Sequence, residues 1–322
     1  MVKGVRGLIR YYRSPRGRLV VNLISGVLAV GVAVLAARHF AETGWPLAHA
    51  DFRLLAAATG FFLLSYLFKA YGWHRLFAPD DRPHRLALAA AGGAATVGGA
   101  ALPGRLDDVV RVAVVRRYSG VDCIPTVCFS LFMLGLLDTA ALMPLASSAA
   151  ATSDSSVAVR AGMGVVAAAG LASAILVVVI PRLAASGRLI RFRLARWVGE
   201  RVISPRDAWQ AWILVLSSWM ARAIGLFFLL GALGVSLSFP LAIAFLVAAA
   251  ASSALPIAPA GAATQAGAGA AILIASGVGT SEAVAFAIAA QAVLIIVGAI
   301  VIAIAALWGG GHKLRVSRAT AA

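Results

Sequence analysis

Charge is what this sequence has least of. Only 12% of its 322 residues are Asp, Glu, Lys or Arg, and the acids number 12. A water-soluble surface needs roughly a quarter of its residues charged, so this chain cannot cover itself in water. Cysteine is nearly absent too. Cys123 and Cys128 are the two, at a spacing that fits neither a zinc site nor a redox pair, and they are expected as free thiols. A Walker loop, a Gly-x-Ser-x-Gly elbow and a dinucleotide fingerprint are all missing. His39, His49, His74, His84 and His312 are scattered, and no His/Asp/Glu group has metal-ligating spacing. No metal and no cofactor is expected. The shortage of acids leaves a formal charge of +16. In a soluble protein that would suggest nucleic acid, but here Lys and Arg fall in a few blocks between apolar runs, the pattern of cytoplasmic loops.

What is present is hydrophobic sequence, 61% of the chain, so the fold class expected is an all-α polytopic membrane protein. A spanning helix needs about 20 largely apolar residues. Six stretches qualify: Leu19–Ala37, Leu54–Trp73, Cys123–Ala146, Ala161–Ile180, Ala208–Leu230 and Ala283–Leu307. The basic stretch before the first of them resembles a signal peptide, but its length fits a retained anchor. Lys69 reads as a snorkelling anchor, and Trp73, Trp209, Trp212 and Trp308 as interfacial belts.

Two further apolar stretches look broken. Ala87–Pro103 is mostly Ala and Gly and runs into Pro103-Gly104 and a charged segment. Phe239–Ser276 is interrupted at Leu255-Pro-Ile-Ala-Pro-Ala-Gly261, leaving arms of roughly 15 residues that cannot cross a core about 30 Å thick. Both read as re-entrant helical hairpins. Loop parity supports this, because 74–85, 105–117 and 181–207 are all basic and all belong on the cytoplasmic side. Written out, each half is span, span, hairpin, span, with orientations reversed, which reads as an inverted repeat. Its halves are about 19–150 and 157–307 of one transmembrane domain spanning 19–307, between basic cytoplasmic termini 1–18 and 308–322. The two breaks carry the similar strings Ala101-Leu-Pro-Gly104 and Ala254-Leu-Pro-Ile257. In transporters built this way the substrate site lies near the midplane at discontinuous helices.

Candidate functional residues follow from that placement. Arg105, Asp108 and Arg111 share a helix face and can pair internally, and a helix starting after Pro103-Gly104 would offer free N–H groups to a lipid phosphate. The alternative is an interfacial helix whose charges face headgroups. Asp138 and Arg222 lie well inside spans, about 15 and 14 residues from the cytoplasmic ends, and are expected to form an intramembrane ion pair, whether structural, gating or proton-coupling. The arginine-rich 182–206, with Phe192 and Trp197 interleaved, reads as a surface helix binding anionic lipid, with partner docking as the other reading.

These residues resemble a known family. Pro103-Gly-Arg-Leu-Asp-Asp-Val-Val-Arg111 is similar to the Gly-Arg-x-Gly-Glu-x-x-Arg segment of the lysylphosphatidylglycerol synthase transmembrane region, or flippase-like domain, family. Leu255-Pro-Ile-Ala-Pro-Ala-Gly-Ala-Ala-Thr-Gln265 is similar to its late Pro-Gly-Gly-x-Gly motif. The departures are Asp107-Asp108 for Gly-Glu, Ala260 and Ala263 for glycines, and Thr264, Gln265 and Ala266 where a glutamate is frequent. With the sequence ending at Ala322, the resemblance implies lipid handling without aminoacylation. The two breaks and the charged segment after the first give the candidate substrate-binding residues Pro103, Gly104, Arg105, Asp107, Asp108, Arg111, Pro256, Pro259, Gly261, Thr264 and Gln265.

The function expected is that of a flippase-like protein of the bacterial plasma membrane, moving a lipid or lipid-linked anion, anionic or polyprenyl-phosphate-linked. An accessory scaffold, or a metal-dependent transferase using Asp107 or Asp108 on a polyprenyl-linked or glycolipid substrate, are the alternatives. The missing donor-site motif weighs against an enzyme. Membrane lipids, not nucleic acid, are the expected partners.

Overall fold

The computed structural model describes residues 45–101, 106–119, 124–152, 157–184, 197, 203–253 and 261–319. No strand occurs among the described residues. The helices are α1 (Phe52–His74), α2 (Arg85–Ala101), α3 (Leu106–Ser119), α4 (Ile124–Thr152), α5 (Val157–Ala184), α6 (Pro205–Ala232), α7 (Phe239–Ser253), α8 (Gly261–Ala275) and α9 (Thr280–Ala319). Local chemistry sets their ends. The Asp51 carboxylate caps α1 by accepting from the backbone N–H of Arg53 at 2.8 Å and of Leu54 at 3.3 Å, and Ser204 caps α6 ahead of Pro205, which fits a first helical turn. After α6 and α8 the chain turns on Gly234 and Gly277, whose φ angles of 75° and 88° only glycine adopts cheaply. The N–H groups of Val235 and Val278 then close back on Leu230 and Leu273, each at 3.0 Å.

Five helices, α1, α4, α5, α6 and α9, are long and apolar enough to cross a membrane, and they cover five of the six expected spans. The sixth, Leu19–Ala37, lies outside the described residues. The expected hairpins are two pairs of short helices. α2 packs on α3 and α7 on α8, and none of the four, at 14 to 17 residues, could span a bilayer core alone.

At the centre α1 and α6 run antiparallel. The N–H of Asp51 donates to the carbonyl of Ala232 at 2.9 Å at one end, while Arg75 and Arg82 both pair with Asp207 at the other, at 3.3 and 3.2 Å. His84 stacks on Trp308 with ring centroids 4.2 Å apart. Loop 74–85, the start of α6 and the end of the apolar part of α9 are therefore at one end of the bundle, the grouping that the basic loops predict. Apolar helices gain little by leaving lipid for one another, so close approach falls to small residues. A Cβ on Gly72 would stand 3.2 Å from the carbonyl of Ala211, one on Gly225 3.2 Å from that of Ala58, and one on Gly93 2.5 Å from that of Gly298 where α2 crosses α9.

The contacts have the symmetry of an inverted repeat. α2 packs on α1 and α9, as α7 packs on α6 and α4; α3 packs on α4, as α8 packs on α9. At the centre the Ser218 hydroxyl donates to the Ser65 carbonyl at 2.8 Å, across a sequence separation of 153 residues. That separation is the repeat offset. It superimposes Ser65-Tyr-Leu-Phe-Lys-Ala-Tyr-Gly72 on Ser218-Trp-Met-Ala-Arg-Ala-Ile-Gly225, and Ala101-Leu-Pro on Ala254-Leu-Pro.

Some readings of individual side chains are corrected. Trp73 is no interfacial belt: it is 2% exposed, and its indole N–H donates to the Ser130 hydroxyl at 3.0 Å. That face of α1 turns toward α4, which carries Ser130. Trp209 and Trp308 are exposed, as anchors should be. Of the arginine-rich segment, Trp197 rests edge-on against Phe129 at 5.7 Å; Phe192 and most of the arginines lie outside the described residues.

Candidate functional site

A cavity of about 900 Å³ opens between the two halves, walled by α1, α2, α3 and α4 from the first and α5, α6, α7, α8 and α9 from the second. Both hairpins reach it near their tips: Gly99 and Ala100 at the end of α2, Asp107 and Asp108 at the start of α3, Ser252 at the end of α7 and Gln265 early in α8. Apolar residues, Leu142, Leu226, Phe245 and Leu294 among them, make up much of the remaining wall. A cavity of this size, mostly apolar with a few convergent polar groups, is what a ligand site requires.

The charged centre of the cavity is built on the Ser65–Ser218 contact. Lys69 and Arg222 each stand four residues beyond their serine on antiparallel helices, and helical side chains lean toward their own N-terminus. The two cations therefore converge instead of pointing apart. The Lys69 ammonium lies 5.4 Å from the Trp219 ring centre, and the Arg222 guanidinium 5.3 Å from the same ring and 5.7 Å from that of Tyr66. Tyr66 is held in turn by donating its hydroxyl to Thr96 at 2.7 Å. Electron-rich ring faces stabilise a desolvated cation.

The sequence reading paired Asp138 with Arg222, and the structure corrects it. Asp138 takes the Lys69 ammonium at 2.8 Å on one oxygen and the Trp219 indole N–H at 3.1 Å on the other. Both oxygens are engaged before Arg222 is reached. Lys69, read as a snorkelling anchor, is instead a cavity residue with a side chain only 20% exposed. It misleads because it lies five residues from the end of α1, where distance to the interface alone favours snorkelling. Arg222 donates from Nε to the Ser65 hydroxyl at 3.4 Å; among the described residues no carboxylate lies within ion-pairing distance of it.

The hairpin residues form a second polar group. Arg111 pairs with Asp108 at 2.8 Å and with Asp107 at 3.8 Å, and all three line the cavity, as does Gln265. Thr264 sits beside Gln265 in α8, and Gly261 begins that helix. Pro103, Gly104, Arg105, Pro256 and Pro259 lie outside the described residues. Of the residues singled out from sequence, the cavity thus gathers Asp107, Asp108, Arg111, Asp138, Arg222 and Gln265. Tyr66, Lys69, Trp219 and Gln291 were missed. The offset of 153 residues would have found all four, because it makes Tyr66 the counterpart of Trp219, Lys69 that of Arg222 and Gln291 that of Asp138.

The sequence model of the family described as Lysylphosphatidylglycerol synthase TM region matches residues 21–302, and the chain belongs to that family. No curated protein and no solved structure matches it.

Proposed function

We propose that this member of the lysylphosphatidylglycerol synthase transmembrane family binds a lipid or lipid-linked anion in its central cavity and carries it across the bacterial plasma membrane. The observation that carries this reading is the cavity itself. It is walled by both halves of an inverted repeat, touched by both hairpins, and holds three cations and three carboxylates. Charges within a bundle of apolar helices are costly, and where they are kept they face a cavity or a partner and mark a substrate path. In repeats of this kind, one half rocking against the other exposes a fixed site to either side in turn.

The polar centre suits a headgroup and the apolar wall suits acyl or polyprenyl chains. The cytoplasmic side is assigned to the end bearing Arg75, Arg82 and Asp207, since loops rich in Lys and Arg stay inside; both termini then lie in the cytoplasm. The test is leaflet exchange in liposomes containing the purified protein, with head-labelled phosphatidylglycerol and polyprenyl phosphate. Exchange above protein-free liposomes, lost in Arg105→Ala and Asp108→Ala with the fold retained, is the expected result. Equal exchange with and without the protein, for both lipids, contradicts the proposal.

A further inference from the structure

The repeat is symmetric in shape but not in charge. At the offset of 153 residues, Ser65, Tyr66, Lys69 and Gly72 match Ser218, Trp219, Arg222 and Gly225, so each half supplies one cation and one aromatic ring. The same offset takes Asp138 on α4 to Gln291 on α9, and both line the cavity. Lys69 has its carboxylate, Asp138. Arg222 has an amide on the wall where symmetry would put one.

We infer that this broken symmetry makes Arg222 the anion-binding residue of the cavity, and that Gln291 keeps the site open by withholding the carboxylate that neutralises its twin. Lys69, Asp138 and Arg222 together carry one positive charge. One negative charge from a ligand balances these three groups, the Arg111, Asp107 and Asp108 group of the same cavity carrying a net negative charge of its own, and a guanidinium presents paired donors matched to two phosphate oxygens. The ligand chemistry is thus a singly charged phosphate group, a phosphodiester, whether part of a lipid or of a soluble molecule. Arg111 is the weaker candidate for this role, since Asp107 and Asp108 already share its charge. The inference rests on the proposed function only in taking the cavity as the substrate site.

The test is titration calorimetry of the full chain in a neutral detergent, with dihexanoylphosphatidylglycerol and, separately, its deacylated headgroup glycerophosphoglycerol, a soluble phosphodiester. Wild type is expected to bind at one per chain, and the tighter probe identifies the source of the phosphate. Arg222→Gln and Gln291→Glu are each expected to weaken binding by about tenfold or more, while Gln291→Met stays within about threefold. Asp138→Asn, which leaves Lys69 without its counter-charge, is expected to tighten binding or add a second equivalent, a gain that misfolding cannot produce. Wild-type affinity in Gln291→Glu overturns the proposal, as does equal weakening by Met and Glu, or no gain in Asp138→Asn. Absent leaflet exchange with this binding intact counts against transport and not against the site; exchange without Arg222-dependent binding counts the other way.

Discussion

Ser218 donates its hydroxyl to the backbone carbonyl of Ser65, 2.8 Å away, and the two serines are the same residue of two half-repeats. The contact lies at the crossing of α1 and α6. It marks the centre of the molecule, and the charged groups of the cavity are disposed around it.

The Gly93–Gly298 crossing has no room for a side chain. Gly93→Ala would bring a Cβ to 2.5 Å from the Gly298 carbonyl oxygen and force α2 off α9. A loss of about 1–3 kcal/mol is expected, read as a lower melting temperature in detergent. Gly135→Ala, whose Cβ meets nothing within 4 Å, is the matched control and should melt at or slightly above wild type.

Asp138→Ala strands both Lys69 and the Trp219 indole. Breaking a fully buried pair costs about 3–5 kcal/mol; with side chains 20% and 22% exposed, about 2–3 kcal/mol is expected here. Lys69→Met with Asp138→Leu removes both charges and should recover most of the loss. Thermal melts of the two variants check this, and a double variant no more stable than Asp138→Ala would show that the pair is not the cause.

Much of the fold was legible because a bilayer core sets a length. Apolar runs near 20 residues became α1, α4, α5, α6 and α9, and the runs interrupted by proline became short helices in pairs. Side-chain partners were less legible. Asp138 and Arg222 were recognisable as intramembrane charges, but hydropathy carries no information on which cation reaches a carboxylate first, and Lys69 lay close enough to a helix end to pass for an anchor. The repeat was visible in Ala101-Leu-Pro and Ala254-Leu-Pro. Its stronger signal, Ser65 to Gly72 against Ser218 to Gly225, is hidden by substitutions that keep chemistry but change letters: Tyr for Trp, Lys for Arg.

Asp207 holds one end of the bundle. It accepts from the Ser204 hydroxyl at 2.9 Å and pairs with Arg75 and Arg82, tying the chain after α1 to the start of α6. Asp207→Ala should cost about 1–2 kcal/mol, less in high salt because these groups are partly exposed. Melts at low and high ionic strength measure the difference.

Orientation is testable with thiols. With Cys123 and Cys128 changed to Ser, Arg206→Cys should react with an impermeant maleimide only after spheroplasts are opened. Ala48→Cys, exposed at the opposite end, should react while they are intact. The reverse pattern would invert the assigned topology.

The central claim is that lipid passes through the cavity between the two halves. Thr96 on α2 and Ala249 on α7 both face that cavity from opposite hairpins and stand at the repeat offset from one another. Cysteines at both positions, in the background lacking Cys123 and Cys128, would be joined by a reducible bifunctional cross-linker in reconstituted liposomes, and leaflet exchange followed before and after reduction. The account predicts that exchange stops when the hairpins are joined and returns when the link is cut. Exchange that continues at the same rate with the link in place would contradict it.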